Sequence, residues 1–180
     1  MNTSINYKLA KPAASIAAVL ALALASTTGL ADTNGPKYTM TVFEDIRQGA
    51  KIIDGKYEQA IEKITANPSK KDAIRVETNL CVAYAKAGEV ELAEKSCDAA
   101  IAAIEGKKRF TRYAVGMETN RDARRRYLAI ALSNRGVVKA VKGDLESARK
   151  DFDEALQLDS RLAAAKTNLE RISIAVENAV

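Results

Sequence analysis

Gly143-Asp144-Leu145-Glu146-Ser147-Ala148-Arg149-Lys150-Asp151-Phe152-Asp153-Glu154-Ala155-Leu156 is the stretch that decides the fold. A turn glycine and an acidic cap open it. Leu145, Ala148, Phe152, Ala155 and Leu156 then recur at helical spacing, so an amphipathic helix follows the turn. The same offsets recur twice upstream. After Gly88 they hold Val90, Ala93, Cys97 and Ala100, and after Gly55 they hold Tyr57, Ala60 and Ile64, with Asn67 breaking the last place. Packing explains the pattern. A small residue five places after each turn (Ala60, Ala93, Ala148) lets two antiparallel helices approach closely. A larger residue four places later (Ile64, Cys97, Phe152) plugs the gap to the next pair. The preceding helix supplies a complementary small residue seven places before the turn, Cys81 in the second unit and Gly136 in the third. Gln48 stands there in the first, which matches poorly.

These residues, with Asn79-Leu80-Cys81, Tyr84 and Gly88 in one unit and Asn134-Arg135-Gly136 with Gly143-Asp144 in another, resemble the tetratricopeptide repeat (TPR), a helix–turn–helix unit of about 34 residues. The resemblance covers roughly residues 41–175. Lys51 and Lys139 depart from it where an aromatic is usual, and Ser160 where a proline usually ends the unit. It implies an all-α, short TPR-like helical-hairpin solenoid of about three helix pairs with a C-terminal capping helix. The expected units are 41–67, 74–104 and 127–160, with a cap over 161–180 in which Leu169, Ile172 and Val176 keep helical spacing. Gly88 to Gly143 is longer than one repeat, so an insert is expected over 105–126.

Composition agrees. Of 180 residues, 47% are hydrophobic but only 5% aromatic, and there is no Trp. Alanine-rich, glycine- and proline-poor chains suit close-packed helices rather than a sheet core. Histidine is absent, which removes the side chain most used for acid–base work and metal binding. Two cysteines cannot close a four-ligand zinc site by themselves. Asp151, Asp153 and Glu154 lie beside Arg149 and Lys150 and read as a solvated, charge-paired face. No nucleophile–base pair and no glycine-rich phosphate loop is visible. The sequence therefore reads as a binding protein, not an enzyme, with no cofactor and no metal.

Residues 1–31 read as a secretory signal peptide. Lys8 and Lys11 precede the uncharged apolar run 13–25, and Gly29-Leu30-Ala31 offers small residues for cleavage before Asp32. The run is shorter than the roughly 20 residues that span a bilayer comfortably. Export to the periplasm, with no stable membrane anchor after cleavage, is the expectation. Residues 32–40, carrying Gly35-Pro36, are expected as a flexible leader. The formal charge is +5. Without the leader's two lysines it is about +3, too mild an excess to indicate a nucleic-acid partner.

Three features invite a function. The first helices of successive TPR pairs line a concave surface, and the resemblance places Arg75, Thr78, Val82 and Ala85, then Ile130, Ser133, Val137 and Ala140, then Thr167 and Arg171 on it. Such a face suits an extended or helical peptide of a protein partner; a capping helix filling a short array is the competing expectation. Some family members clamp the C-terminal carboxylate of chaperone tails with paired lysines and asparagines. Asn79 and Asn134 are present here, but Asp45 and Ile130 occupy the lysine places, so that clamp is not expected.

The second feature is basic. Lys107, Lys108, Arg109, Arg112, Arg121, Arg124, Arg125 and Arg126 face only Glu118 and Asp122, with Phe110, Tyr113 and Met117 interleaved. A patch for an acidic partner and a solvated loop pinned by its aromatics both fit. The third is Cys81 with Cys97. In an oxidising compartment they staple the two helices of one repeat; otherwise they are two buried thiols. An alternative function follows from the poorly matched first unit. Ile46, Ile52 and Ile53 offer an apolar end through which a structural or stress-related protein without a free groove would homo-oligomerise.

Overall fold

Each turn glycine places its residue where an L side chain is strained. Gly55, Gly88 and Gly143 have φ of 76°, 86° and 87°. The amide after each closes back on the helix in the same way: Lys56 to Lys51 O at 2.8 Å, Glu89 to Tyr84 O at 2.9 Å and Asp144 to Lys139 O at 3.0 Å. This six-to-one closure satisfies the last carbonyls and ends the helix sharply. Asp144 then caps the next helix, its carboxylate accepting from Ser147 N–H at 3.1 Å. One local device, used three times, makes the hairpins.

The computed structural model describes residues 37–46, 48–67, 72–106 and 120–177, all within the unit Pro36–Val180. The expected signal peptide and its expected cleavage site, residues 32–36 and residues 107–119 lie outside the described residues. Seven helices are described: α1 (Gly49–Ile53), α2 (Tyr57–Ala66), α3 (Ala73–Ala87), α4 (Val90–Glu105), α5 (Asn120–Val141), α6 (Leu145–Leu158) and α7 (Ala163–Glu177). Consecutive helices pair, and α3 meets α5 across the pairs. This is an all-helical hairpin solenoid, with α7 packed on α6 and α5 as the cap.

The packing rule read from the offsets holds in three dimensions. Ala60, Ala93 and Ala148 are fully buried, as are Cys97 and Phe152, and Ile64 is nearly so. Gly136 sits against Phe152, where an added Cβ would come within 2.7 Å of the ring. Cys81 and Cys97 are paired across α3 and α4 with Cα atoms 5.1 Å apart, and neither is exposed.

Four expectations change. First, α1 is a single short turn of helix, because the chain before it is occupied elsewhere. Second, α5 begins at Asn120, so Arg121, Arg124, Arg125 and Arg126 stand on a long helix rather than in an insert. Third, Asp151 is not on a solvated face. It is buried and bonded twice to Arg135, Nε to Oδ2 and Nη2 to Oδ1 both at 2.8 Å, while Lys139 approaches at 2.8 Å. Arg135 also reaches Asp98 at 2.9 Å, tying α4, α5 and α6 together, and its hydrogen bonds to Asp151 hold its pKa above the ordinary arginine value. Lys139, read as a departure from the repeat, is therefore the second counter-charge of a buried carboxylate. Fourth, Val176 is 44% exposed, while Ile172 is buried and Leu169 packs partly buried on the core as expected, with Ala165 and Asn168 completing the inner face of α7.

Candidate functional site

The concave face is lined by α3, α5 and α7, and it is filled. What fills it is not the capping helix. Residues 37–43, Lys-Tyr-Thr-Met-Thr-Val-Phe, cross the face without helical hydrogen bonds, so residues 37–40 are not the flexible leader expected of them.

Three asparagines hold this strap, one from each lining helix. Thr39 N–H donates to Asn168 Oδ1 at 2.8 Å, and Asn168 Nδ2 donates back to Thr39 O at 2.7 Å. Thr41 makes the same pair with Asn134 at 2.8 and 2.9 Å. Phe43 makes it with Asn79, both bonds at 2.9 Å. Each carboxamide thus satisfies the N–H and C=O of one strap residue, as a neighbouring strand would. Every second residue is gripped, which is the period of an extended chain. The strap runs from the last lining helix to the first, against the order of the repeats.

The three asparagines are fully buried and, among the described residues, their carboxamides bond only the strap's main chain, so the grip is indifferent to the strap's side chains. Side chains supply the rest. Met40 packs against three of the four apolar clusters, Val42 joins Val82 and Ile52, and Tyr38 joins the largest cluster. Burial pushes the Tyr38 hydroxyl above its usual pKa, opposed by the nearby Arg171 charge. The Phe43 ring lies 5.1 Å from that of Tyr127, tilted at 39°.

The two ends of the strap are held differently. At the Lys37 end, Arg171 donates to Lys37 O and to Thr39 Oγ1, and both strap residues are exposed. At the Phe43 end the chain reverses tightly. Gly49 lies so close to Phe43 O that an added Cβ would stand 2.1 Å away, and Gln48 adopts φ of 58° to make the bend. Asp45, in the same bend, accepts from Arg75 at 2.7 Å.

The groove residues inferred from sequence fall as follows. Val82, Ile130, Ser133, Val137 and Ala140 are buried, Ala85 is half-buried, and Thr78 is spent on Ile74 O at 2.8 Å. Arg75 is tied to Asp45 and to Asp72, and Arg171 to the strap. Ser133 Oγ is buried with no hydrogen bond among the described residues. Sequence reasoning singled out Asn79 and Asn134 without giving them this role, and it passed over Asn168. The signal was there: Asn79 and Asn134 each stand nine before their turn glycine, and Asn168 stands 34 after Asn134, one repeat on.

Two of the basic residues, Arg124 and Arg125, serve helix ends. Arg124 donates to Glu105 O, the last residue of α4, and Arg125 to Gln157 O near the end of α6, both at 3.2 Å. Cations at helix C-termini are favourable there. Lys107, Lys108, Arg109 and Arg112 lie outside the described residues. The apolar end of the first unit is largely closed: Ile46 and Ile52 are buried, and Ile53 alone of the three is exposed, at 54%.

No protein-family model matches the chain, and no curated protein does. Solved TPR domains do. The first TPR domain of the human RPAP3 protein, determined by NMR, is 25% identical with a TM-score of 0.53, over 72% of this chain and 86% of that one. The first TPR of Spaghetti (RPAP3), bound to the HSP90 peptide SRMEEVD, is 26% identical with a TM-score of 0.52, over 71% of this chain and 86% of that one. The fold is TPR-like, and in the second of these domains it carries a peptide.

Proposed function

We propose that this chain is an exported, non-catalytic interaction module that holds an extended segment of a partner protein on its concave face. One observation carries the reading. Asn79, Asn134 and Asn168 are spaced and aimed to take the main chain of an extended polypeptide at every second residue. Buried carboxamides without a peptide between them would lose several hydrogen bonds, so such a row belongs to a face built around a peptide. The peptide on a solved TPR domain of similar fold supports it. The leader's charge, apolar run and Gly29-Leu30-Ala31 support export to the periplasm, with the mature chain beginning at Asp32.

The test is direct. A variant lacking residues 32–42, checked for helicity by circular dichroism, is titrated with a fluorescent peptide of sequence Lys-Tyr-Thr-Met-Thr-Val-Phe-Glu. Saturable binding, lost when Asn134→Ala is added, supports the reading. A helical variant that binds no extended peptide refutes it. Mass spectrometry of the native protein from the periplasmic fraction tests export through its first residue.

A second reading is favoured by the strap itself: a structural protein whose face is permanently closed and which acts by homo-oligomerisation. It predicts an oligomer in sedimentation and no peptide binding by the variant. The burial of Ile46 and Ile52 weighs against it, since it leaves little apolar surface at that end.

A further inference from the structure

The strap raises a question about access, because the face proposed to bind a partner is already covered by the chain's own residues. The answer lies in the asymmetry of its two ends, and it rests on the functional reading above.

The Phe43 end is locked. Phe43 is clasped by Asn79, rests against the Tyr127 ring and leads into a bend with no room for a Cβ at Gly49. Among the described residues the hydrogen bonds that hold the Lys37 end come from α7, through Asn168 and Arg171, and α7 itself packs on α6 and α5. Lys37 and Thr39 are exposed, whereas Met40, Thr41, Val42 and Phe43 are partly buried. An extended segment held by independent clasps opens from the end with fewer buried contacts.

We infer that residues 37–43 are a displaceable intramolecular occupant that peels from α7 toward α3. The incoming partner is an extended segment of another protein with apolar, uncharged side chains at alternate positions. Its chemistry follows from what it replaces. The asparagines read only main chain, which admits many sequences. The floor beside Val82 and Val137 receives aliphatic side chains such as those of Met40 and Val42, which excludes charge at those places. A strand exposed in an unfolded or unassembled protein has this pattern. The strap lowers the apparent affinity for it by the fraction of time the face is covered. Only a segment that matches the strap in both respects displaces it.

The experiment uses the whole mature chain. Wild type, Thr39→Pro and Thr39→Val are titrated with the labelled peptide Lys-Tyr-Thr-Met-Thr-Val-Phe and with a version carrying Asp for Met and Val. Both changes lie in the strap and leave the face that receives the peptide intact: Thr39→Pro removes the N–H that donates to Asn168 together with the hydroxyl that accepts from Arg171, and Thr39→Val removes the hydroxyl alone. Thr39→Pro is expected to tighten peptide binding about fivefold to tenfold and Thr39→Val less, with no binding of the Asp version. Hydrogen exchange gives a second readout: added peptide deprotects the amides of Thr39 and Thr41 more than that of Phe43. Two results overturn the inference: equal affinity in wild type and both folded variants, or a concentration-dependent dimer that restores protection of 37–43, which puts a second copy's strap in the groove. If these fail while the variant lacking 32–42 still binds peptide, the functional reading stands and only displacement is refuted.

Discussion

The side chain of Asn134 closes a two-point hydrogen-bonded clasp on the main chain of Thr41, a residue 93 positions earlier in the sequence. It is the middle of three such clasps, so it bears on both ends of the strap. Asn134→Ala leaves the Thr41 N–H and C=O without partners on the wall of α5. The expected loss is about 2 kcal/mol of stability, read from chemical denaturation, together with faster exchange of the Thr41 amide.

Gly136 and Phe152 fix the spacing of α5 and α6. Because an added Cβ would stand 2.7 Å from the ring, Gly136→Ala forces the helices apart or turns the ring off its rotamer. Overpacking of this kind costs about 1–3 kcal/mol. The double variant Gly136→Ala with Phe152→Leu is expected to recover part of that loss, which a double-mutant cycle of denaturation midpoints measures.

Cys81 and Cys97 join the two helices of one hairpin and are both inaccessible. The unfolded, unreduced protein is expected to show no free thiol. Reduction is expected to lower stability by roughly 3 kcal/mol on loop-entropy grounds. Thiol titration in denaturant, before and after reductant, checks the first point, and the denaturation midpoint checks the second.

Asp151 is the buried anion between Arg135 and Lys139. Asp151→Asn removes the charge, leaves Lys139 without its buried partner and leaves Arg135 with Asp98 alone, both cations being mostly covered. The expected cost is about 3 kcal/mol. The Arg135→Met, Lys139→Met, Asp151→Leu triple variant is expected to lose much less, since an apolar trio of similar volume leaves no unpaired charge. Comparative thermal denaturation distinguishes them.

Glu77, half-buried on α3, has its pKa raised by desolvation. The native state therefore holds this proton to higher pH than the unfolded chain does, so Glu77 disfavours folding progressively as pH rises through and above its unfolded value. Glu77→Gln is expected to be more stable than wild type at pH 7. The difference should vanish below the unfolded carboxylate pKa, where both side chains are neutral in both states. A series of melting temperatures from pH 3 to pH 8 shows whether the two curves converge.

The sequence by itself determined the hairpins. Each depends on residues within about ten positions of a glycine: the positive φ at Gly55, Gly88 and Gly143, the small residue at Ala60, Ala93 or Ala148, and the plug at Ile64, Cys97 or Phe152. Local spacing carries that information because a helix turns with a fixed period. Asn79 and Asn134 were also visible as a repeated position. Only the tertiary structure decided what they do. The alternation of Tyr38, Met40 and Val42 with Thr39 and Thr41 is too short to announce what it lies against, and the strap's partners stand 36, 93 and 129 positions away. A short stretch after Gly35-Pro36 reads as a linker until three helices are assembled around it. The same holds for Asp151, which belongs to a charged run in sequence and to a buried ion triad in space, because Arg135 and Lys139 reach it from the facing helix of the hairpin. Contacts within one turn are fixed by covalent geometry; contacts across the concave face exist only once the helices have packed.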